Sequence, residues 1–204
     1  LKYDNGGTMP TTITKDKVIF INGSPSYTKN PDGTETSTID NKSTIELGTT
    51  NKIELSGANS IATYLKNGIS ATNKGTITLT GDKSVALYGE GGGRLENDAS
   101  NGIISVGQNS VGMYNKGTTT AVNNGEITLT GDFGIGMRSD SASGTSTNTG
   151  KIISTNLRAV GMSASGGSNA LENTGEINLS GQESIGIHTD KLGTGHEITN
   201  GSSG

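Results

Sequence analysis

Three tyrosines, Tyr64, Tyr88 and Tyr114, recur at nearly constant spacing, and Arg138 follows one interval later. Such a set suits recognition: the rings supply rigid apolar contact, and the guanidinium supplies a fork of hydrogen-bond donors. Catalytic sets are thinner. The only two histidines, His188 and His196, fall in different expected strands and have no further ligands converging on them. Asp82 and Asp132 occupy equivalent turns, but the turn between them carries Gln108 and Asn109, so the clustered carboxylates of sugar-cleaving chemistry do not assemble. The stretch "GEGGGRLEND" (89–98) has the glycine content of a phosphate-cradling loop. No helix follows it to present amides to an anion, and it reads as a loop between strands. The chain is therefore read as non-enzymatic, with no catalytic residue, cofactor or metal.

Those residues need a scaffold, and composition narrows it. The 204 residues include 33 Gly, no Cys and no Trp, with 28% hydrophobic residues. So thin an apolar content suits neither an ordinary two-layer core nor, given its regular placement, a disordered chain. A net charge of −4, spread without blocks, lacks the basic stripe that tracks a nucleic-acid backbone, and no nucleic-acid partner is expected. The absence of cysteine removes disulfides and thiolate metal sites and suits an exported protein. No apolar run approaches the ~20 residues that span a bilayer.

The regular placement is a repeat. Ile53, Ile77, Ile104, Ile127, Ile152 and Ile177 follow one another at intervals of 24, 27, 23, 25 and 25 residues. Each unit holds three short segments, exemplified by "TITLTG" (76–81), "SVALY" (84–88) and "RLEN" (94–97), the first two alternating apolar and polar at period two. Three short strands per unit of about 25 residues, over about six units, predict an all-β, right-handed parallel β-helix. One unit alone cannot offset an ordering cost of ~1–2 kcal/mol per residue, whereas stacked coils share hydrogen bonds at ~4.8 Å spacing and form a rod of roughly 30 Å. Asn73, Asn123, Asn148 and Asn173, each two residues before a glycine, are expected to form a hydrogen-bonded ladder. Gly81, Gly131 and Gly181 are expected to turn the chain through a positive φ. Ser154 interrupts the column Leu79–Val106–Leu129–Leu179, predicting a local shift of that coil.

Alternation also assigns faces. With the columns Val85–Val111–Ile135–Val160–Ile185 and Leu87–Met113–Met137–Met162–Ile187 inside, the neighbouring residues face out. That places Gly112 and Gly136, with Ala62, Ala86, Gly161 and Gly186, in a bare lateral lane beside Tyr64, Tyr88, Tyr114, Arg138, Ser163 and His188. Two readings follow: a lane that accepts a glycan or a partner strand, or a packing surface on which stacked tyrosines support adjacent coils. Residues 1–50 break the repeat and hold all three prolines. They are read as an irregular N-terminal coil, either a cap or a loop protruding around 24–33. Residues 51–204 form the β-helix, expected to be a monomeric piece of a longer protein.

The phrases "NKGTITLTGDKSVALYG", "NNGEITLTGDFGIGM" and "NTGEINLSGQESIGIH" resemble the repeats of type V autotransporter passengers, in particular the large RadD-like outer-membrane adhesins of fusobacteria. The resemblance covers about residues 50–204. It implies a β-helical stalk on the bacterial cell surface, anchored through a C-terminal membrane β-barrel outside this chain. The implied partners are a host cell-surface receptor protein or glycan, or other bacteria. A structural spacer without its own ligand and a carbohydrate-active enzyme are the alternatives.

Overall fold

Short alternating segments punctuated by Gly and Asn become strands because each buries one face on neighbouring coils and donates its backbone bonds along the stack. The structure, a computed structural model, describes residues 44–141, 143–167, 170–189 and 197–201, and the strands at 12–13, 25–29 and 35–39. The chain begins with β1 (Thr12–Ile13), the antiparallel pair β2 (Pro25–Lys29) and β3 (Glu35–Ile39), and β4 (Thr44–Leu47). The first complete coil is β5 (Lys52–Leu55), β6 (Ile61–Lys66) and β7 (Ser70–Asn73). Next come β8 (Thr76–Leu79), β9 (Val85–Glu90) and β10 (Arg94–Asn97), then β11 (Ile103–Val106), β12 (Val111–Gly117) and β13 (Thr120–Asn123). The fourth coil is β14 (Glu126–Leu129), β15 (Ile135–Ser141) and β16 (Thr145–Asn148). The fifth is β17 (Lys151–Ser154), β18 (Val160–Ala164) and β19 (Ala170–Asn173), and the sixth is β20 (Glu176–Leu179), β21 (Ile185–Thr189) and β22 (Glu197–Asn200).

Like strands stack on like in three parallel sheets, ordered β1-β5-β8-β11-β14-β17-β20, β6-β9-β12-β15-β18-β21 and β4-β7-β10-β13-β16-β19-β22. The result is a parallel β-helix of three strands per coil, with no helix among the described residues. Two of the sheets reach back into the segment set apart at 1–50, through β1 on β5 and β4 on β7. Most of that segment, including the choice between cap and loop, lies outside the described residues.

The core is a set of columns. Ile53, Ile77, Ile104, Ile127 and Ile152 are in register and essentially inaccessible, as are Leu55, Leu79, Val106 and Leu129 beside them. Across the interior, three coils combine one large and one small residue, Leu65 with Ala71, Gly89 with Leu95 and Ala164 with Leu171, while in the two coils between, Asn115 donates to Ser139 Oγ at 3.0 Å and accepts from Ser146 Oγ at 2.9 Å. A Cβ on Gly89 would lie 3.2 Å from Leu95 Cδ2, so the small partner makes room for the large one. The shift expected at Ser154 does not occur. Leu129 pairs with Ser154 and Ser154 with Leu179 in unbroken register, and the buried hydroxyl donates to the Leu129 carbonyl at 3.0 Å. A satisfied hydroxyl is tolerated inside without displacing the strand.

The asparagine ladder is present and longer than expected. Each Nδ2 donates to the next Oδ1 from Asn73 through Asn97, Asn123, Asn148 and Asn173 to Asn200, at 2.7–2.9 Å. The glycine turns work differently from the expectation. Gly81, Gly131 and Gly181 have no positive φ; a Cβ there would instead run into the backbone of the preceding coil, at Gly57, Gln108 and Asn156 respectively. The left-handed position falls two residues later, on Lys83, Phe133 and Glu183, and on Asn59, Asn109 and Arg158 in the other coils. There the N–H of Asn59, Lys83, Asn109, Phe133 and Arg158 donates to a carbonyl of the following coil at 2.8–3.1 Å, which offsets the strain of a left-handed non-glycine residue.

Candidate functional site

The sheet of β6, β9, β12, β15, β18 and β21 carries the tyrosines, and its strands do not alternate simply. In β9, Ser84 at the strand entry is buried, Val85 is half-buried, Ala86 and Leu87 are both buried, Tyr88 is half-buried, Gly89 is buried and Glu90 is half-buried. Two successive inward residues mark a bend. The register skips it, pairing Val111 with Val85 and Met113 with Leu87 but not Gly112 with Ala86.

That bend corrects the expected lane. Gly112 and Gly136 face inward: a Cβ on Gly112 would lie 2.8 Å from Ile127 Cγ2, and one on Gly136 2.7 Å from Ile152 Cγ2. Ala62 and Ala86, in the same column, are fully buried. These residues are small because the isoleucines of the adjacent sheet already fill that corner. The column Val85–Val111–Ile135–Val160–Ile185, expected inside, is the outer one, begins with Ile61, and is half-buried until Ile185 reaches 44% exposure.

Tyr64, Tyr88, Tyr114, Arg138, Ser163 and His188 do form one outward column in register. Tyr64 and Tyr88 stack with centroids 4.9 Å apart and planes at 22°, while Tyr88 meets Tyr114 edge-on at 4.9 Å and 85°. A cation closes each end, with Lys66 Nζ 5.3 Å from the Tyr64 centroid and Arg138 Cζ 5.5 Å from that of Tyr114. The hydroxyls are held as well. Tyr64 and Tyr88 donate to Glu90 at 3.3 and 2.9 Å, and Lys66 binds the same carboxylate at 2.8 Å. Tyr114 donates to Asp140 at 2.5 Å, where Arg138 Nη2 also donates at 3.0 Å and Ser165 Oγ donates as well.

These contacts set the electrostatics. Burial, then the Asp140 carboxylate, pushes the Tyr114 hydroxyl up to about 12, and burial, then Glu90, raises that of Tyr88. Hydrogen bonds from Lys66 and Tyr88 hold Glu90 below the usual carboxylate range. Burial opposes ionisation of Asp140, but bonds from Arg138, Ser165 and Tyr114 outweigh it and lower its value. The acids that anchor the ladder sit two residues after Tyr88 and Arg138, on the same strand face, a period-two relation readable in the sequence. The outer aliphatic column was the harder feature to see, because strict alternation cannot place Val85 and Tyr88, three residues apart, on the same outer face.

Beyond Arg138 the ladder drops to Ser163 before rising to His188, and the step leaves a hollow of about 220 Å³ lined by Ile135, Arg138, Val160, Ser163 and His188. A larger open groove of about 820 Å³ runs along the turns below Ser100 and Asn101, past Asn124, Thr149 and Thr174. Its charges alternate, and Lys151 pairs with Glu176 at 3.6 Å. The turn acids are engaged too: Asp82 accepts from Asn109 Nδ2 at 2.8 Å and Asp132 from the Leu157 N–H at 3.1 Å. The loop 89–98 turns through Gly91, Gly92 and Gly93, all at positive φ, and Gly92 is tied to Thr119 Oγ1 of the next coil in both directions. No group of three or more acidic or His side chains able to hold a metal occurs among the described residues. His196 lies outside them.

Stacked three-strand coils with a continuous side-chain ladder define the chain as a parallel β-helical repeat domain. It belongs to the family of the BigA third pectate lyase-like domain, whose family model matches residues 2–204. Domains of this family come from bacterial surface proteins. No curated protein and no solved structure matches the chain.

Proposed function

We propose that this domain is part of a cell-surface adhesin, a β-helical passenger of the autotransporter kind that attaches bacteria to host cells or to one another. The observation that carries the reading is the outer face of the β6–β21 sheet. It presents a continuous strip of aliphatic side chains, half-buried from Ile61 to Val160 and exposed at Ile185, beside the ladder of Tyr64, Tyr88, Tyr114 and Arg138. A long apolar and aromatic strip along one face is what a contact surface requires. Because ring faces are used by neighbouring rings and cations, and the hydroxyls by Glu90 and Asp140, the ladder offers ring edges, and the aliphatic strip supplies the apolar contact. The ladder is rigid before binding, which lowers the ordering cost on contact.

Catalysis is not part of this reading. Asp82 and Asp132 are bonded within turns, and Glu90 and Asp140 are held by tyrosines with Lys66 and Arg138, whereas sugar cleavage needs acids poised at a substrate. A spacer role is the second reading, favoured by the internal satisfaction of the tyrosine hydroxyls. Attachment of the purified chain to host cells and to other bacteria, measured by flow cytometry, separates the two. Saturable attachment that falls in Tyr88→Ala, Tyr114→Ala and Arg138→Ala supports the adhesin. Attachment unchanged in all three removes this face, and no attachment at all leaves the spacer.

A further inference from the structure

The outward column of the second sheet is occupied by large side chains except at one coil. Tyr64, Tyr88, Tyr114 and Arg138 fill it from β6 to β15, His188 resumes it on β21, and Ser163 lies between them in register with both Arg138 and His188. The missing bulk leaves the hollow of about 220 Å³. We propose that this hollow holds one pyranose ring of a cell-surface glycan. The inference deepens the adhesin reading and rests on it for its biological partner.

The walls fit that chemistry. Ile135 and Val160, from the outer aliphatic column, form an apolar side against which the C–H face of a sugar packs. With Ala164 and Ser165 completing the lining, Ser163 Oγ, the His188 imidazole and the Arg138 guanidinium together offer both donors and acceptors to ring hydroxyls. Arg138 is fixed in place, stacked on Tyr114 at 5.5 Å and bonded to Asp140 through Nε at 3.2 Å and Nη2 at 3.0 Å. A polar wall held by its own contacts needs no ordering when the ligand arrives. The volume lies below the roughly 300–1,000 Å³ of sites that enclose drug-sized ligands, which argues for a single ring and against an extended chain. The adjacent Asp140 carboxylate offsets the arginine charge, which favours a neutral sugar over an acidic one.

The fold itself supplies the test. Tyrosine already occupies this register position in three coils, so Ser163→Tyr continues a ladder the backbone accepts and fills the hollow. The probes are the methyl glycosides of galactose, mannose, N-acetylglucosamine and glucuronic acid, read by saturation-transfer NMR on the whole chain, with circular dichroism as the check on folding. Transfer from at least one neutral glycoside, lost in Ser163→Tyr and diminished in His188→Ala on the exposed face of β21, is the expected result. Transfer from none of the four, transfer confined to the glucuronide, or transfer retained in folded Ser163→Tyr overturns the proposal. Cell attachment that persists in Ser163→Tyr while the NMR signal is absent from wild type removes the sugar site and leaves the adhesin. NMR transfer without any cell attachment removes the adhesin and leaves the sugar site.

Discussion

Gly136 distinguishes an inner corner from an outer lane. An added Cβ meets the Gly161 carbonyl oxygen at 2.6 Å and Ile152 Cγ2 at 2.7 Å, with packed backbone on one side and core on the other. Gly136→Ala is therefore expected to lose about 1–3 kcal/mol, the usual cost of overpacking, in urea unfolding. An outward glycine would give the opposite sign, since alanine restricts the unfolded chain and stabilises by ~0.4–1 kcal/mol. The tyrosines make a prediction about pH. Tyr114 has a folded value raised to about 12, so its contribution is complete below its unfolded value near ~10 and is lost as pH rises through the folded one. Asp140 runs the other way: its lowered value contributes above ~3.9 and is lost as pH falls through the folded value. Thermal melts across pH should show a fall in midpoint above about 10 that is smaller in Tyr114→Phe, with the acid limb moved in Asp140→Asn. Identical pH profiles for wild type and both variants would show the ladder to be energetically idle.

The strands and the asparagine ladder depend on repetition, and repetition is what the sequence displays openly. Period two within segments and about 25 residues between them gave the three sheets, the isoleucine columns and the asparagine positions. The faces of β9 and its equivalents were misread for a physical reason. Strict alternation assumes a straight strand, and Ala86 and Leu87 both turn inward at a bend that only tertiary packing reveals. Ser154 was misread because sequence shows a polar residue in an apolar column but not the carbonyl waiting for it. Likewise Asn97 was outside the expected ladder because it lacks a glycine two residues on, although the longer loop there still brings its amide into line. In the middle of that ladder, Asn123 accepts from Asn97 at 2.8 Å and donates to Asn148 at 2.7 Å and to the Lys151 carbonyl at 3.1 Å. Asn123→Ala removes the donor to the buried Asn148 Oδ1, while the Asn97 amide keeps the Gly102 and Glu126 carbonyls, and is expected to cost about 1–3 kcal/mol by chemical denaturation. A loss no greater than that of an exposed-site substitution would mean that the amides do not act as a ladder.

On the scale of the whole rod, stability is a sum over neighbouring coils, because each coil touches only the one before and the one after. One coil should then be removable without loss of the fold. Deleting residues 124–148, the 25 that separate two rungs of the ladder, joins Asn123 to Thr149 and Gly150, so the junction still reads Asn-x-Gly. The shortened chain is expected to keep its β-sheet circular dichroism and to melt cooperatively at a lower midpoint. Loss of the β signal would mean that the coils are not interchangeable units.

The left-handed turn positions have a consequence of their own. Asn59, Lys83, Asn109, Phe133, Arg158 and Glu183 share one backbone conformation, yet they span amide, cation, aromatic and anion. The first five are held by a main-chain bond to the following coil, and that bond is indifferent to the side chain. Folding therefore exerts little selection on what is written along this edge. Mutation can exchange charge for aromatic surface there without altering the architecture beneath, so a surface protein can change the appearance it presents to antibodies or partners while its scaffold stays constant.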